Sequence, residues 1–242
     1  MKNIEQESLS RIALEHHEVI PVMEKYDLDF CCRGSKTLSE ACAEKKISVS
    51  SVADEMRQAA ATSTTSTPFT EMSAEQLISH ILLRHHFYVK NAIPMIMNLL
   101  EKLVSKHGEK YPKMVKVHEL FCGVKDELEP HMDKEEKILF PRIKEIAALS
   151  SQHKEIGHIP AYLNAPIAVM EEEHDNAGQL MFEIRHLTND YTPPEDACTT
   201  HRVCLEALKA FEIDLHQHVH LENNILFPMA VSMFNKNSVL QA

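Results

Sequence analysis

The sequence contains an internal repeat in which polar and apolar residues recur at matching places. HMDKEEKILFP begins at His131 and HVHLENNILFP begins at His218, and both fit the pattern H-x-x-x-E-x-x-I-L-F-P. Residues four apart lie one turn from each other on the same face of an α-helix. Each copy therefore predicts a helix that presents a histidine and a glutamate together, His131 with Glu135 and His218 with Glu222, followed by apolar packing residues.

One more histidine precedes each copy at nearly the same distance. His86 lies 45 residues before His131 (131 − 86), and His174 lies 44 residues before His218 (218 − 174). Two such helical hairpins, related by a pseudo-two-fold axis, would bring four histidines and two glutamates into one core. His85 adjoins His86, and neighbouring residues point about 100° apart on a helix, so the spacing leaves open which of the two faces the site.

This donor set favours a centre of two metal ions. Histidine nitrogens combined with carboxylate oxygens suit iron or manganese, and six ligands exceed the three or four that a zinc site uses. A duplication that kept only packing residues would also preserve the ILFP segments. It would, however, leave two buried pairs of polar side chains without partners, which is costly.

The chain divides at the Ser/Thr-rich segment ATSTTSTPFT, residues 61–70, which is typical of a linker. Residues 1–60 predict short helices, with a turn-like segment at YDLDFCCRGSKT, and 71–242 predict a domain that folds by itself. Ser73 with Gln76 predicts a capping box at the start of this domain. With only 5 Gly and no strand pattern, we expect an all-α fold: an antiparallel four-helix bundle preceded by a small helical domain. The four long helices are predicted at about 74–105, 113–147, 166–190 and 195–234.

Charge and cysteine usage exclude several classes of protein. The formal net charge is −11 and no basic run occurs, which argues against nucleic-acid binding. The chain has no apolar run of about 18 residues and no signal peptide, so we expect neither a membrane span nor export. Its six cysteines form no CxxC pair, and we expect a cytoplasmic protein.

These motifs resemble the bacterial di-iron Repair of Iron Centres family, and the resemblance covers nearly the whole chain. KYDLDFCCRGSKTLSEAC is similar to that family's small cysteine-bearing domain. Its haemerythrin-like bundle is matched by RHHFYVKNAIP, HMDKEEKILFP, VMEEEHDNAG, TPPEDACTT and HVHLENNILFP. One departure concerns the pair usually found after the family's two cysteines, Gly-Gly, which is Arg33-Gly34 here.

The resemblance implies a metal site and a thiol pair. It selects His86 rather than His85 and implies two iron ions in a non-haem centre bridged by oxo and carboxylate groups. The implied ligands are His86, His131, Glu135, His174, His218 and Glu222. Glu173 matches an acidic residue of the family and is expected as an outer carboxylate or an extra ligand. Cys31 and Cys32 are expected to be reactive, the alternative being two small buried residues.

The implied function is repair of iron–sulfur clusters damaged by nitric oxide or peroxide, through donation of iron. The expected partners are damaged iron–sulfur proteins, with nitric oxide or O2 as small ligands and a homodimer left open. Two other functions fit the same ligands: a di-iron nitric oxide reductase, and a haemerythrin-like carrier or sensor of O2 or nitric oxide. Because a plain oxygen carrier needs no thiol pair, the cysteines favour repair or reduction.

Overall fold

The computed structural model describes residues 3–31, 34–62, 69–152 and 162–238. This part of the chain is helical and contains no β-strand; Ser8 and Thr37 form one isolated antiparallel bridge. The fold is all-α, an antiparallel four-helix bundle preceded by short helices, which confirms the predicted fold class. Among the described helices, none combines the length and the apolar character that crossing a membrane requires.

The short N-terminal helices begin at polar caps. They are α1 (Leu9–Glu15), α2 (Ile20–Lys25), α3 (Leu38–Lys45) and α4 (Val49–Thr62). The Ser8 hydroxyl accepts a hydrogen bond from the backbone N–H of Arg11 at the start of α1. Thr37 and Glu40 form a capping box at the start of α3. Each cap satisfies backbone N–H groups that have no partner inside the helix.

Three of the four bundle helices contain a π-helical turn. The first consists of α5 (Ala74–His80), a π-turn (Ile81–His86) and α6 (Phe87–His107); the second of α7 (Pro112–Lys134), a π-turn (Glu135–Leu139) and α8 (Phe140–Ser151); the third is α9 (Asn164–Leu187); the fourth consists of α10 (Thr199–Leu221), a π-turn (Glu222–Leu226) and α11 (Phe227–Ser238). The predicted capping box is confirmed, since Ser73 and Gln76 bond reciprocally at the start of α5. α9 ends earlier than predicted because Asn189, Asp190 and Tyr191 have positive φ angles.

The repeated ILFP segments do not end their helices. The N–H of Phe140 donates to the carbonyl of Glu135, five residues earlier, and the N–H of Phe227 donates in the same way to Glu222. The prolines that follow, Pro141 and Pro228, lie inside the continuing helices. π-turns of this kind are frequent at functional sites. In both copies of the repeat, a π-turn begins at the glutamate of the HxxxE pair.

The N-terminal helices pack directly against the bundle, and one apolar core runs through both. Polar contacts also cross this interface. Arg185 on α9 bonds Asp27 and donates from Nε to Glu212 at 2.8 Å. His216 on α10 donates from Nδ1 to Glu24 at 2.9 Å. Much of the predicted linker, residues 63–68, lies outside the described residues, and the proposed division into domains stays a prediction.

Candidate metal centre

Six polar side chains from all four bundle helices meet in the middle of the bundle. They are the six expected ligands, each at most 1% exposed: His86, His131, Glu135, His174, His218 and Glu222. The π-turn of the first helix ends at His86, and the π-turns of the repeat begin at the two glutamates. Three of the expected ligands therefore lie at an end of a π-turn, and all six side chains point to one site.

The six residues form two groups that share both carboxylates. In one group the donor atoms of His86, Glu135, His218 and Glu222 all lie within 4.8 Å of one another; in the other, those of His131, Glu135, His174 and Glu222 do. We call these groups the 86/218 position and the 131/174 position.

The separations between donor atoms fit metal coordination. Nε2 of His86 and Nε2 of His131 each lie 3.3 Å from Oε2 of Glu135. Nε2 of His218 lies 2.9 Å from Oε1 of Glu222, and Nε2 of His174 lies 3.1 Å from Oε2 of the same carboxylate. Two ligands about 2.1 Å from one ion and at right angles to each other are separated by about 3 Å. Each carboxylate thus reaches histidines of both positions, as bridging requires.

Several of these buried atoms lack hydrogen bonds within the described part of the chain. They are Nε2 of His86, both carboxylate oxygens of Glu135 and Oε2 of Glu222. Buried polar atoms without partners are costly, and these point into a shared space. The residues present therefore fit a pair of bound cations.

The close carboxylates change how the histidines titrate. Burial alone lowers the pKa of His86, but the nearby carboxylates of Glu135 and Glu222 outweigh burial and raise that pKa to about 10. The pKa of His131 is raised to about 9, because the charge of Glu135 outweighs burial in the same way. The pKa of Glu222 is held well below its usual value, since its histidine neighbours outweigh the opposing effect of burial.

Three of the four expected ligand histidines also donate a hydrogen bond from Nδ1, on the side of the ring that faces away from the site. Nδ1 of His86 donates to Glu136 at 2.8 Å, and Lys90 bonds the same carboxylate at 2.7 Å. Nδ1 of His131 donates to Glu173 at 2.9 Å, and Lys134 pairs with that carboxylate. Glu173 therefore lies on the edge of His131 opposite the shared glutamate, where an outer carboxylate would lie.

Asn223 holds the third histidine: Nδ1 of His174 donates to its side-chain oxygen at 2.9 Å. Contacts of this type fix the tautomer, so that Nε2 presents its lone pair to a metal. Sequence reasoning missed Glu136 and Asn223. Because each directly follows the glutamate of its HxxxE pair, aligning the two copies of the repeat would have drawn attention to them.

The fourth histidine has a different neighbour. The ring of His85 stacks on that of His218, with centroids 5.6 Å apart and planes 6° from parallel. Nδ1 of His85 donates to Asp214 at 3.1 Å. His85 is only 2% exposed, so it lies behind a ligand rather than on the surface. Within the described residues, Nδ1 of His218 has no hydrogen-bond partner.

The cysteine segment lies against the helix that carries His218. The ring of Phe30 packs edge-on against His216 and His220 on α10, with centroids 6.3 and 5.4 Å away. Cys31 is buried, and its thiol lies 3.4 Å from Asp29. It also lines a cavity of about 530 Å³ between the N-terminal helices and the bundle. Cys32 lies outside the described residues.

Comparisons with known proteins agree with this arrangement. Residues 77–230 match the family model described as the Hemerythrin HHE cation binding domain. Residues 5–60 match ScdA_N, a domain of unknown function.

Similar full-length proteins come from several bacteria. The iron-sulfur cluster repair protein YtfE of Dickeya chrysanthemi is 33% identical over 225 residues, which cover 93% of this chain and 96% of that protein. Its counterpart in Citrobacter koseri is 35% identical over 224 residues, with the same coverage. A probable iron-sulfur cluster repair protein of Haemophilus influenzae is 34% identical over 229 residues, covering 94% of this chain and 97% of that protein.

Proposed function

This chain belongs to the family of iron–sulfur cluster repair proteins that join an ScdA_N segment to a haemerythrin HHE cation-binding domain, and on that basis we propose that it helps to restore damaged clusters by donating iron. The observation that carries this proposal is the pair of four-residue donor groups that share Glu135 and Glu222. Such a site can hold two metal ions close together, and its nitrogen and oxygen donors suit iron.

Each ligand has a distinct part in holding the iron. The histidines present Nε2, and the protonated Nδ1 atoms of His86, His131 and His174 donate to Glu136, Glu173 and Asn223 respectively. Both glutamates would bridge the two ions. Iron bound here supplies a redox-active cation that thiolates can also bind, which makes it suitable cargo for transfer.

We assign Cys31 and Cys32 the role of receiving iron on the way to the acceptor. Thiolates are good transient ligands for iron. Each thiol that binds iron gives up its proton, and each histidine that loses iron can accept one. The exchange therefore needs no external oxidant. Ferrous iron and free thiols both persist in a reducing compartment, so we place this activity in the cytoplasm.

A transfer experiment tests this function. The protein is loaded with ⁵⁷Fe and mixed, without free iron, with an iron–sulfur enzyme inactivated by nitric oxide. We expect enzyme activity to return and ⁵⁷Fe to appear in its cluster by Mössbauer spectroscopy. Glu222→Leu should lose both ions and all transfer, whereas Glu172→Leu, on the exposed face of α9, should behave as the parent.

The same samples discriminate the two other functions. Steady formation of nitrous oxide from nitric oxide and a reductant, without recovery of the enzyme, would show a reductase. Reversible binding of O2 or nitric oxide with neither product would show a carrier or sensor. A chain that binds zinc and takes up no iron would contradict all three.

A further inference from the structure

The two metal positions differ in how many of their histidines donate a hydrogen bond from Nδ1, the ring nitrogen that faces away from the site. Both histidines of the 131/174 position are held at Nδ1, His131 by Glu173 at 2.9 Å and His174 by Asn223 at 2.9 Å. In the 86/218 position, His86 donates from Nδ1 to Glu136, whereas Nδ1 of His218 has no partner among the described residues. We propose that, within the two-iron centre on which the proposed function rests, the ion of the 86/218 position is the exchangeable one.

The internal repeat shows where this inequality arises. The residue that follows the repeat glutamate supports the earlier histidine of its own half, Glu136 in one half and Asn223 in the other. The residue that precedes the earlier histidine faces the other half. In the second half it is Glu173, an acceptor for Nδ1 of His131. In the first half it is His85, which offers His218 a ring face instead of an acceptor atom.

The partner of His85 does not replace the missing acceptor. Asp214 accepts from Nδ1 of His85, and within the described residues its other oxygen has no partner. Stacking restrains the plane of the His218 ring but leaves its Nδ1 proton without an acceptor. Loss of an outer hydrogen bond of this kind typically weakens metal binding by about 10- to 100-fold. His218 is thus the ligand that dissociates most easily.

A cavity next to His85 also favours exchange of the ion at the 86/218 position. It has a volume of about 300 Å³, its lining includes His80, Arg84, His85 and His220, and none of the described residues that line it carries a carboxylate. His85 forms part of its wall and stacks with its ring on His218. The ring of His85 alone separates a chelating molecule in this cavity from the ring of His218.

The kinetics of iron release test the assignment. The full-length protein is loaded with two ferrous ions per chain without oxygen and mixed with a large excess of a coloured ferrous chelator. We expect two phases of equal amplitude, the first at least about 10-fold faster than the second. One Mössbauer-active ion per chain should remain after the first phase.

Two variants assign each phase to a position. Glu173→Gln weakens the support of His131 and should accelerate only the slow phase, by about 10-fold. Glu136→Gln weakens the support of His86 and should accelerate only the fast phase. Glu172→Gln, next to Glu173 but exposed, is the matched control and should change neither phase. Asn223→Ala should repeat the effect of Glu173→Gln from another helix, so that one unstable variant cannot decide the result.

The outcomes separate this proposal from the proposed function. Release of both ions in a single phase, or acceleration of the fast phase by Glu173→Gln, overturns the assignment while leaving a two-iron protein. An iron content that stays below two per chain contradicts the centre itself, and with it both proposals.

Discussion

Single side chains determine how the site responds to pH. In the absence of bound metal, the pKa of His86 is about 10 and that of His131 about 9, because nearby glutamates outweigh the opposing effect of burial. The histidine pKa in an unfolded chain is about 6.5. Between pH 6.5 and 9 the folded chain therefore holds protons that the unfolded chain has released.

This difference in bound protons predicts how the free energy of unfolding of the metal-free protein depends on pH. The contribution of His86 and His131 is fully present below pH 6.5 and is lost as pH rises towards 10. In that window the free energy of unfolding should fall by about 1.4 kcal/mol per pH unit for each group protonated only in the folded state. Denaturant unfolding between pH 6.5 and 10 measures the slope.

Metal binding should show the opposite trend, because ligand nitrogens must lose their protons. Affinity should rise with pH over the same range. Glu135→Gln removes one of the charges that raise both pKa values, so this variant should show a shallower loss of stability. An unchanged slope in that variant would contradict the assigned cause.

The sequence indicated most of this site before the structure did. Residues four apart share a helical face whatever the tertiary fold. The repeat therefore predicted the two pairs of ligands, His131 with Glu135 and His218 with Glu222. The outer contact between His85 and Asp214 could not be predicted in this way. It joins residues 129 apart in sequence, and it depends on how the π-turn Ile81–His86 packs against α10.

At the scale of secondary-structure elements, the π-turns were the main surprise. Proline after an apolar run predicts a kink or an end, since it lacks an N–H. The ILFP segments were therefore expected to kink or end their helices, and the pattern contains no separate signal for a turn widened by one residue, as found at Glu135–Leu139 and Glu222–Leu226. The positions of the long helices were nevertheless predictable from their apolar pattern.

The turn at Gly34 leaves no room for a side chain. A Cβ atom at this position would lie 2.5 Å from the carbonyl oxygen of Phe30 and 2.6 Å from Cβ of Ser10. The backbone carbonyl of Gly34 also accepts a hydrogen bond from the N–H of Ser10, at 2.9 Å. The turn is therefore closed tightly onto α1.

We expect Gly34→Ala to destabilise the protein by about 1–3 kcal/mol, the usual cost of overpacking, and to expose Cys31 to thiol reagents. Gly123→Ala is the control: on α7 its Cβ would meet only the flexible end of Leu180, at 3.3 Å. Thermal unfolding and the rate of thiol alkylation are the two measurements. Equal behaviour of the two variants would show that the turn has room to adjust.

At the scale of the whole molecule, the N-terminal helices and the bundle share more contact than the sequence suggested. The Ser/Thr-rich linker predicts that residues 71–242 fold without the N-terminal segment. Phe30, however, packs against His216 and His220, on either side of the expected ligand His218. No local pattern reveals such a contact, because it joins distant segments.

Removing residues 1–70 tests how far the bundle depends on this interface. We expect the truncated chain to fold and to hold two iron ions, since all six expected ligands are retained. It should be less stable by about 1–3 kcal/mol, because half-buried charged groups such as Arg185 and His216 lose hydrogen-bond partners. Iron analysis and denaturant unfolding measure the two effects. Insoluble or metal-free protein would contradict independent folding.

Changing Cys31 and Cys32 together to Ser should separate storage from delivery. All six expected ligands are His or Glu, so we expect iron content and Mössbauer spectrum to stay as in the parent. Recovery of a damaged iron–sulfur enzyme, compared at equal iron loading, should fall strongly. Cys122→Ser, at a half-buried position on α7, is the control. Full recovery with the double variant would remove these thiols from the mechanism.

The burial of the ligands has a consequence for timing. Because each expected ligand is at most 1% exposed, a bound ion could leave only while some of the bundle is transiently open. The residence time of the metal is then set by a local unfolding equilibrium, in which about 1.4 kcal/mol changes the open population tenfold. Substitutions that rigidify α10, even far from any ligand, should slow delivery, so selection for rapid repair limits how stable this helix can become.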